Sequence, residues 1–151
     1  IMNPEYTFKL VVNAPQKAID NYFKNIKISN NLVIYPTQKN THPFYEEASV
    51  LLNLSNADLW LETFGLTILE GMAYGLPAIV PPLGGVVELV EEGKNGFLTE
   101  SKNLIKISKQ LKILLSDHDL YQSMRKSALE KSKFFCEEYF ENESIRLISK
   151  P

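Results

Sequence analysis

Short apolar runs alternate along this chain with segments whose apolar residues recur three or four positions apart. Runs rich in β-branched residues, each ended by polar residues, glycine or proline, predict strands at residues 8–12, 32–35, 50–54, 77–80 and 96–98. Helical spacing predicts helices over residues 15–26, 41–48, 66–74 and 86–90, with Pro15 in the first helical turn. From residue 102 onward the pattern is helical, with a break near residues 116–117.

This alternation of strands and helices predicts an α/β fold with a parallel sheet and helices on both of its faces. We expect a doubly wound, Rossmann-like sheet whose strands are apolar because both faces are covered. The whole chain, residues 1–151, is predicted to be one domain, with an alternating core over 1–100 and C-terminal helices over 101–151. Ligands of such folds bind beyond the carboxyl ends of the strands, which draws attention to residues 13–16, 36–41, 55–67 and 81–85.

Composition narrows the classes of function. The 151 residues are 44% hydrophobic, enough for the core of one globular domain. Sixteen basic and 18 acidic residues give a net charge of −2, which argues against a binder of nucleic-acid backbones. The single cysteine, Cys136, excludes an internal disulfide and a cysteine-based metal cluster, and its phenylalanine neighbours predict that it is buried. No apolar run approaches the length of a membrane span.

The segment from Glu62 to Glu70 contains the strongest candidates for ligand-binding residues. Gly65 allows a ligand to approach the backbone where a helix begins, and the N–H groups of Leu66 and Thr67 would favour a phosphate there. Glu70, deeper in the helix, has the chemistry to accept two hydrogen bonds from a ribose diol, and Glu62 to meet sugar hydroxyls. The same residues also fit a purely structural role, since acidic residues are common at helix starts and a glycine there eases packing.

The surrounding motifs resemble a known family. Glu62 and Glu70 form an E-x7-E pair with Phe64 and Gly65 inside it, followed by EGMAYGLPAIV at 70–80, GGVVELV at 84–90 and GKNGFL at 93–98. Together they resemble the donor-binding, C-terminal half of a retaining glycosyltransferase with the GT-B fold, of the large family 4. The close match covers residues 50–98, and the order of elements agrees on both sides.

The resemblance implies roles for individual residues. Glu62 resembles the glutamate that contacts the donor hexose near the reacting centre, so it is the candidate catalytic residue. Glu70 resembles the glutamate that holds the ribose hydroxyls of the nucleotide. The turn whose backbone N–H groups face the sugar and the diphosphate corresponds to Phe64, Gly65, Leu66 and Thr67. In this family the segment after the second predicted strand lines the base, which makes Pro36 and Thr37 base-site candidates.

The implied activity is transfer of a hexose from a UDP-, GDP- or ADP-sugar to an acceptor hydroxyl with retention of configuration, in glycan or polysaccharide biosynthesis. The resemblance implies no cofactor and no metal, no nucleic-acid partner, and a cytoplasmic location. Peripheral association of the full-length protein with the inner face of the membrane is left open. The runner-up interpretation is a non-catalytic nucleotide-sugar-binding module, or a partner subunit of a glycosyltransferase complex.

Two departures from the family pattern bear on activity. Such domains open with a strand, a glycine-rich turn and a helix that supply an arginine and a lysine to the diphosphate, and the chain lacks that unit; its arginines, Arg125 and Arg146, lie far downstream. The N-terminal acceptor domain is also absent, so the resemblance implies a fragment that does not turn over alone. The approach to Glu62 is unusually polar, and within it Trp60 fits either the sugar site or the core.

Other signals have structural explanations. Residues 117–119 have the D-x-D form of metal-dependent transferases, but they lie between helical segments with Ser116 placed as a cap, so capping is favoured over metal binding. Gly84 and Gly85 fit either a tight turn or a backbone approach to the donor. The aromatic stripe near the C-terminus is expected to lie mostly in the core, and the resemblance leaves open that part of it faces the absent acceptor domain; its members are Phe134, Phe135, Tyr139 and Phe140.

Overall fold

The computed structural model describes residues 3–56 and 62–149. In chain order the strands are β1 (Phe8–Val11), β2 (Leu32–Tyr35), β3 (Leu51–Leu52), β4 (Ala78–Val80) and β5 (Gly96–Leu98). The helices are α1 (Gln16–Phe23), α2 (His42–Glu47), α3 (Leu66–Ala73), α4 (Val86–Leu89), α5 (Leu104–Ser116), α6 (His118–Ser132) and α7 (Glu137–Ile148). A 3₁₀ helix, Lys133–Phe135, separates α6 from α7.

The chain divides into two compact units, Ile1–Glu47 and Ala48–Pro151. The first unit contains β1 and β2, which pair in parallel with Phe8 opposite Leu32 and Val11 opposite Tyr35. Helix α1 forms the crossover between them and buries Ile19. It begins after Pro15, which is the extended N-cap residue and does not lie in the first helical turn as predicted. The helix also ends at Phe23, before the predicted boundary at residue 26.

The strands of the first unit are only partly covered. Leu10, Val11 and Val33 are exposed, contrary to the expectation that both faces of every strand are buried. The described part of this unit has only α1 and α2 to cover its sheet, and both are short. The apolar sequences therefore predicted the two strands correctly, but the prediction that both faces of these strands are buried was wrong.

The second unit contains a three-stranded parallel sheet in the order β3-β4-β5. Its central strand, β4, is fully buried, and β3 is only two residues long instead of the predicted five. The core around β4 joins residues of α3, α4 and α6; its buried members are Ile68, Met72, Ala78, Val80, Val86, Leu89, Val90 and Ala128. The predicted α/β class with parallel sheets is confirmed, with the strands hydrogen-bonded in two sheets where one sheet was expected.

The helical C-terminal part agrees with the sequence pattern, except at its caps and at the 3₁₀ helix Lys133–Phe135, a break that was not predicted. The carboxylate of Asp117 accepts a hydrogen bond from the N–H of Leu120 at 3.0 Å, so Asp117 caps α6. Ser116 was the predicted cap, but its hydroxyl donates to the carbonyl of Ile113 in the preceding helix at 3.3 Å. The aspartate that begins the D-x-D sequence thus has a structural partner.

The aromatic stripe is not a core feature. Phe134, Tyr139 and Phe140 are exposed, Phe140 by 71%, and Phe135 is half-buried. Cys136, predicted to be buried, is exposed at the N-cap of α7. Helix α7 buries none of its residues against the described part of the chain. The spacing of apolar residues predicted this helix correctly, but spacing does not specify what packs against it.

Candidate functional site

Two loops meet at the carboxyl edge of the second unit's sheet. One is the turn of residues 62–65, called here the glutamate turn, which lies between β3 and α3. The other follows β4 and includes residues 84–86, called here the glycine loop. The N–H of Gly85 donates to the backbone carbonyl of Glu62 at 2.8 Å. The segments that follow β3 and β4 therefore meet at this edge.

Gly65 forms the junction between the glutamate turn and α3. Its φ of +85° lies in the left-handed region, where residues with a Cβ are disfavoured. A Cβ at this buried position would also lie 2.7 Å from Cγ1 of Val86. The glycine thus serves both backbone conformation and packing against α4.

The carboxylate of Glu62 folds back onto its own turn. Its Oε1 accepts a hydrogen bond from the N–H of Gly65 at 3.3 Å, and the side chain is half-buried. The N–H groups of the next two residues, Leu66 and Thr67, have no hydrogen-bond acceptor among the described residues. Both residues are exposed. Of the N–H groups predicted to face a diphosphate, Gly65 therefore has an internal partner, whereas these two are open at the positive end of α3.

The other predicted residues of this segment have different environments. Glu70 lies on α3 with its side chain exposed, on the same helix that begins beside Glu62. The ring of Phe64 is half-buried and packs edge to face against Phe135, with ring centroids 5.9 Å apart. Phe64 therefore anchors the turn to the protein through its side chain.

The two glycines of the glycine loop have separate tasks. Gly84 has a φ of +83°, so it supplies the tight turn. Gly85 has an ordinary helical conformation, with φ −65° and ψ −19°. A Cβ on Gly85 would lie 1.9 Å from the carbonyl oxygen of Thr63, so glycine is needed for close approach. The tight turn is therefore made by Gly84, and the backbone that closely approaches Gly85 is the protein's own. An approach of this loop to the donor stays a prediction.

Pro36 and Thr37 lie in the first unit, after β2. The N–H of Thr37 donates to the carbonyl of Ala14 at 3.0 Å, and the Thr37 hydroxyl donates to the side chain of Asn13 at 3.2 Å. The segments that follow β1 and β2 therefore also meet, within their own unit. The assignment of Pro36 and Thr37 to a nucleotide base stays a prediction.

A charged cluster links α6 to the segment before β5. Glu91 contacts Lys94 at 2.9 Å through one carboxylate oxygen and Lys131 at 3.1 Å through the other. The hydrogen bond from Lys94, followed by that from Lys131, lowers the pKa of Glu91 below its usual range. Each lysine thus already has a carboxylate partner, which favours a structural role for the cluster in holding α6 against the segment before β5.

Sequence reasoning missed two residues that shape the glutamate turn. Val86 is fully buried directly under Gly65, and Phe135 packs against Phe64. The pair of glycines before Val86 could have indicated the contact with Gly65, whereas nothing near Phe135 in the sequence indicates a contact with Phe64.

Two other sequence signals concern Trp60 and metal ligands. Trp60, which the sequence allowed either in the sugar site or in the core, lies outside the described residues. Within residues 3–56 and 62–149, no three His, Cys, Asp or Glu side chains cluster as metal ligands.

Comparisons with known proteins give consistent results. Residues 8–131 match the family described as Glycosyl transferases group 1. An uncharacterized glycosyltransferase of Haemophilus influenzae is 29% identical over 138 residues, which are 90% of this chain and 37% of the relative. The N-acetyl-alpha-D-glucosaminyl L-malate synthase of Bacillus anthracis is 32% identical over 107 residues, 71% of this chain and 27% of that enzyme. The chain thus spans about a third of the length of these curated relatives.

The fold also matches solved structures. Anabaena HepE in complex with UDP superposes with a TM-score of 0.77 at 24% identity, over 97% of this chain and 41% of that one. This likeness places the described units in the GT-B class of folds.

Among the described residues, no helix combines the length and apolar character needed to cross a membrane.

Proposed function

This chain belongs to the family of group 1 glycosyl transferases, and from that premise we propose that it is the donor-binding part of a retaining, family 4 enzyme of the E-x7-E type. The proposed reaction moves a hexose from a nucleotide diphosphate sugar to an acceptor hydroxyl, with the anomeric configuration kept. Glycan or polysaccharide biosynthesis is the proposed setting.

The observation that carries the proposal is the arrangement at the start of α3. The open N–H groups of Leu66 and Thr67 lie beside a half-buried carboxylate, that of Glu62, in a turn that a left-handed glycine makes possible. Two open N–H groups and the positive end of a helix favour a diphosphate. The complex of the similarly folded HepE with UDP supports a nucleotide ligand for this fold.

Each residue has a proposed role. The N–H groups of Leu66 and Thr67 would stabilise the charge that develops on the leaving diphosphate, an electrostatic contribution that needs no metal. Glu70 would accept hydrogen bonds from the ribose hydroxyls, and Glu62 would contact the hexose. Phe64 and Gly65 would hold the turn in shape.

The remaining proposals concern the base and the rest of the protein. Pro36 and Thr37 would line the nucleotide base. We propose that an acceptor-binding domain completes the enzyme, in keeping with relatives about two and a half times as long as this chain. A cytoplasmic location, with the inner face of the membrane as an option for the full-length protein, also remains a proposal.

Saturation-transfer NMR on this chain with UDP, GDP, ADP and CMP tests the donor site. We expect one nucleotide to bind, and Glu70→Ala to weaken its binding by about 1.5–3 kcal/mol, because hydrogen bonds to a charged acceptor are lost. Glu141→Ala is the matched control, since Glu141 is also an exposed glutamate in the fifth position of its helix.

Equal affinity in the Glu70 variant and the parent chain would remove Glu70 from the site. Absence of binding by every nucleotide would contradict the donor site in this chain. Nucleotide binding by a full-length protein that transfers no sugar would favour the runner-up, a non-catalytic nucleotide-sugar-binding module or partner subunit.

A further inference from the structure

We propose that the glycine loop fixes the geometry of the glutamate turn, and that Gly85 is a positioning residue for Glu62. The effect on a donor sugar rests on the function proposed above. The coupling between the two loops does not, since it follows from contacts within the second unit.

The first contact is between the two backbones. The N–H of Gly85 donates to the carbonyl of Glu62 at 2.8 Å. A Cβ at position 85 would lie 1.9 Å from the oxygen of Thr63 and 2.7 Å from Cα of Phe64. Because the backbone of Gly85 is in an ordinary helical conformation, alanine at this position would add no torsional strain. Its methyl group would act only by pushing the glutamate turn away.

The second contact is made by the residue that follows Gly85. Val86 is fully buried, and its Cγ1 would lie 2.7 Å from a Cβ placed on Gly65. Leu89, also fully buried, would approach the same Cβ at 3.6 Å. The backbone of the turn therefore rests directly on α4. Packed interiors transmit such displacements because they contain little free volume.

These contacts hold Glu62 from two sides. Its backbone carbonyl is held by Gly85, and its carboxylate is held by Gly65, the residue that rests on Val86. A displacement of the glycine loop would therefore move the carboxylate together with the open N–H groups of Leu66 and Thr67. The groups proposed to meet the donor would lose their alignment as a set.

Gly85→Ala tests this coupling, with Gly96→Ala as the matched control. A Cβ on Gly96 would lie 2.1 Å from the oxygen of Ala78, a backbone collision of the same kind at the β4–β5 pairing. In ¹H–¹⁵N NMR spectra of the two variants, we expect the amide signals of Gly65, Leu66 and Thr67 to shift in Gly85→Ala and to stay in place in Gly96→Ala. Equal shifts in the two variants, or none in Gly85→Ala, would overturn the coupling.

Nucleotide affinity and melting temperature measured on the same variants separate positioning from stability. We expect Gly85→Ala to weaken nucleotide binding at least about tenfold, since small misplacements of binding groups have large effects. Gly96→Ala should lower the melting temperature with little change in affinity. If both variants lost nucleotide affinity in proportion to their loss of melting temperature, Gly85 would contribute only to stability and the positioning role would be wrong. If no nucleotide binds the parent chain, the donor site fails, and the amide shifts still decide the coupling.

A second pair of variants serves if Gly85→Ala does not fold. Val86→Ala removes methyl groups under Gly65, and Val90→Ala removes the same groups from another buried valine of the same core. We expect similar losses of stability from the two, with shifted Gly65–Thr67 amide signals only in Val86→Ala. The same signals moving equally in both would contradict the proposal.

Discussion

Phe64 and Phe135 pack edge to face, with ring centroids 5.9 Å apart and an interplanar angle of 63°. This pair ties the glutamate turn to the 3₁₀ helix Lys133–Phe135, which lies about 70 residues further along the chain. The turn is therefore held from two directions, by Phe135 through a side chain and by the glycine loop through the backbone.

Phe135→Leu should lower the free energy of unfolding by about 0.5–1.5 kcal/mol, because the aromatic pair is lost while most apolar volume is kept. Nucleotide affinity should fall as well, since Phe64 anchors the turn. Phe134→Leu is the control, because Phe134 forms a similar pair with Tyr139, at 5.4 Å, that does not involve the turn. Urea unfolding and nucleotide titration of both variants would check this. Equal affinities in the two would argue that the Phe64–Phe135 pair has no influence on the site.

Asn95 is a buried connector within the loop between α4 and β5. Its side chain accepts from the N–H of Glu91 at 2.7 Å and donates to the carbonyl of Leu89 at 2.9 Å, and it is 1% exposed. Asn95→Leu should destabilise the chain by about 2–4 kcal/mol, because two backbone groups lose their partners. Asn103→Ala, which removes the exposed cap of α5, should cost only about 1 kcal/mol. Denaturant midpoints would rank the two, and the reverse order would contradict the burial argument.

The Glu91 cluster predicts a pH-dependent contribution to stability. Because the pKa of Glu91 is lowered on folding by Lys94 and Lys131, its contribution is present at neutral pH. It should disappear as the pH falls below about 4.3, the ordinary glutamate value, and through the lower folded pKa.

Glu91→Gln should therefore destabilise the chain at pH 7 by no more than about 1 kcal/mol, since the pair is partly exposed. At acidic pH the difference from the parent chain should shrink toward zero in thermal unfolding. Glu130→Gln is the control, because its 3.9 Å contact with Lys126 is more exposed. A penalty for Glu91→Gln that is the same at both pH values would rule out an ionic origin.

Glu62→Gln tests the role proposed for the carboxylate. Glutamine keeps an acceptor for the N–H of Gly65, so the glutamate turn should retain its shape. We expect nucleotide affinity to change little, and sugar transfer by the full-length protein to fall by about 100-fold, as expected for loss of an electrostatic group at the reacting centre. Steady-state kinetics would separate kcat from KM. A parallel loss of nucleotide affinity and turnover would contradict a role confined to the hexose.

Helix and strand positions could be predicted closely because their signal is local. The strands β2 and β5 have the predicted bounds, and α3 differs by one residue at its C-terminal end. The division of the strands between two sheets was not predictable, because it depends on pairing between distant segments. The predicted burial of most of the aromatic stripe and of Cys136 was wrong for the same reason. An apolar helix face does not specify which distant segment packs against it.

By itself, the sequence determined the order of elements, the E-x7-E segment and the place of a glycine at the start of α3, because hydrophobic period and backbone preference act between near neighbours. Only the tertiary structure decided what that segment touches. Gly85 under Thr63, Val86 under Gly65 and Phe135 beside Phe64 join residues far apart in the chain. Such contacts arise from the packing of whole elements, and no spacing along the chain encodes them.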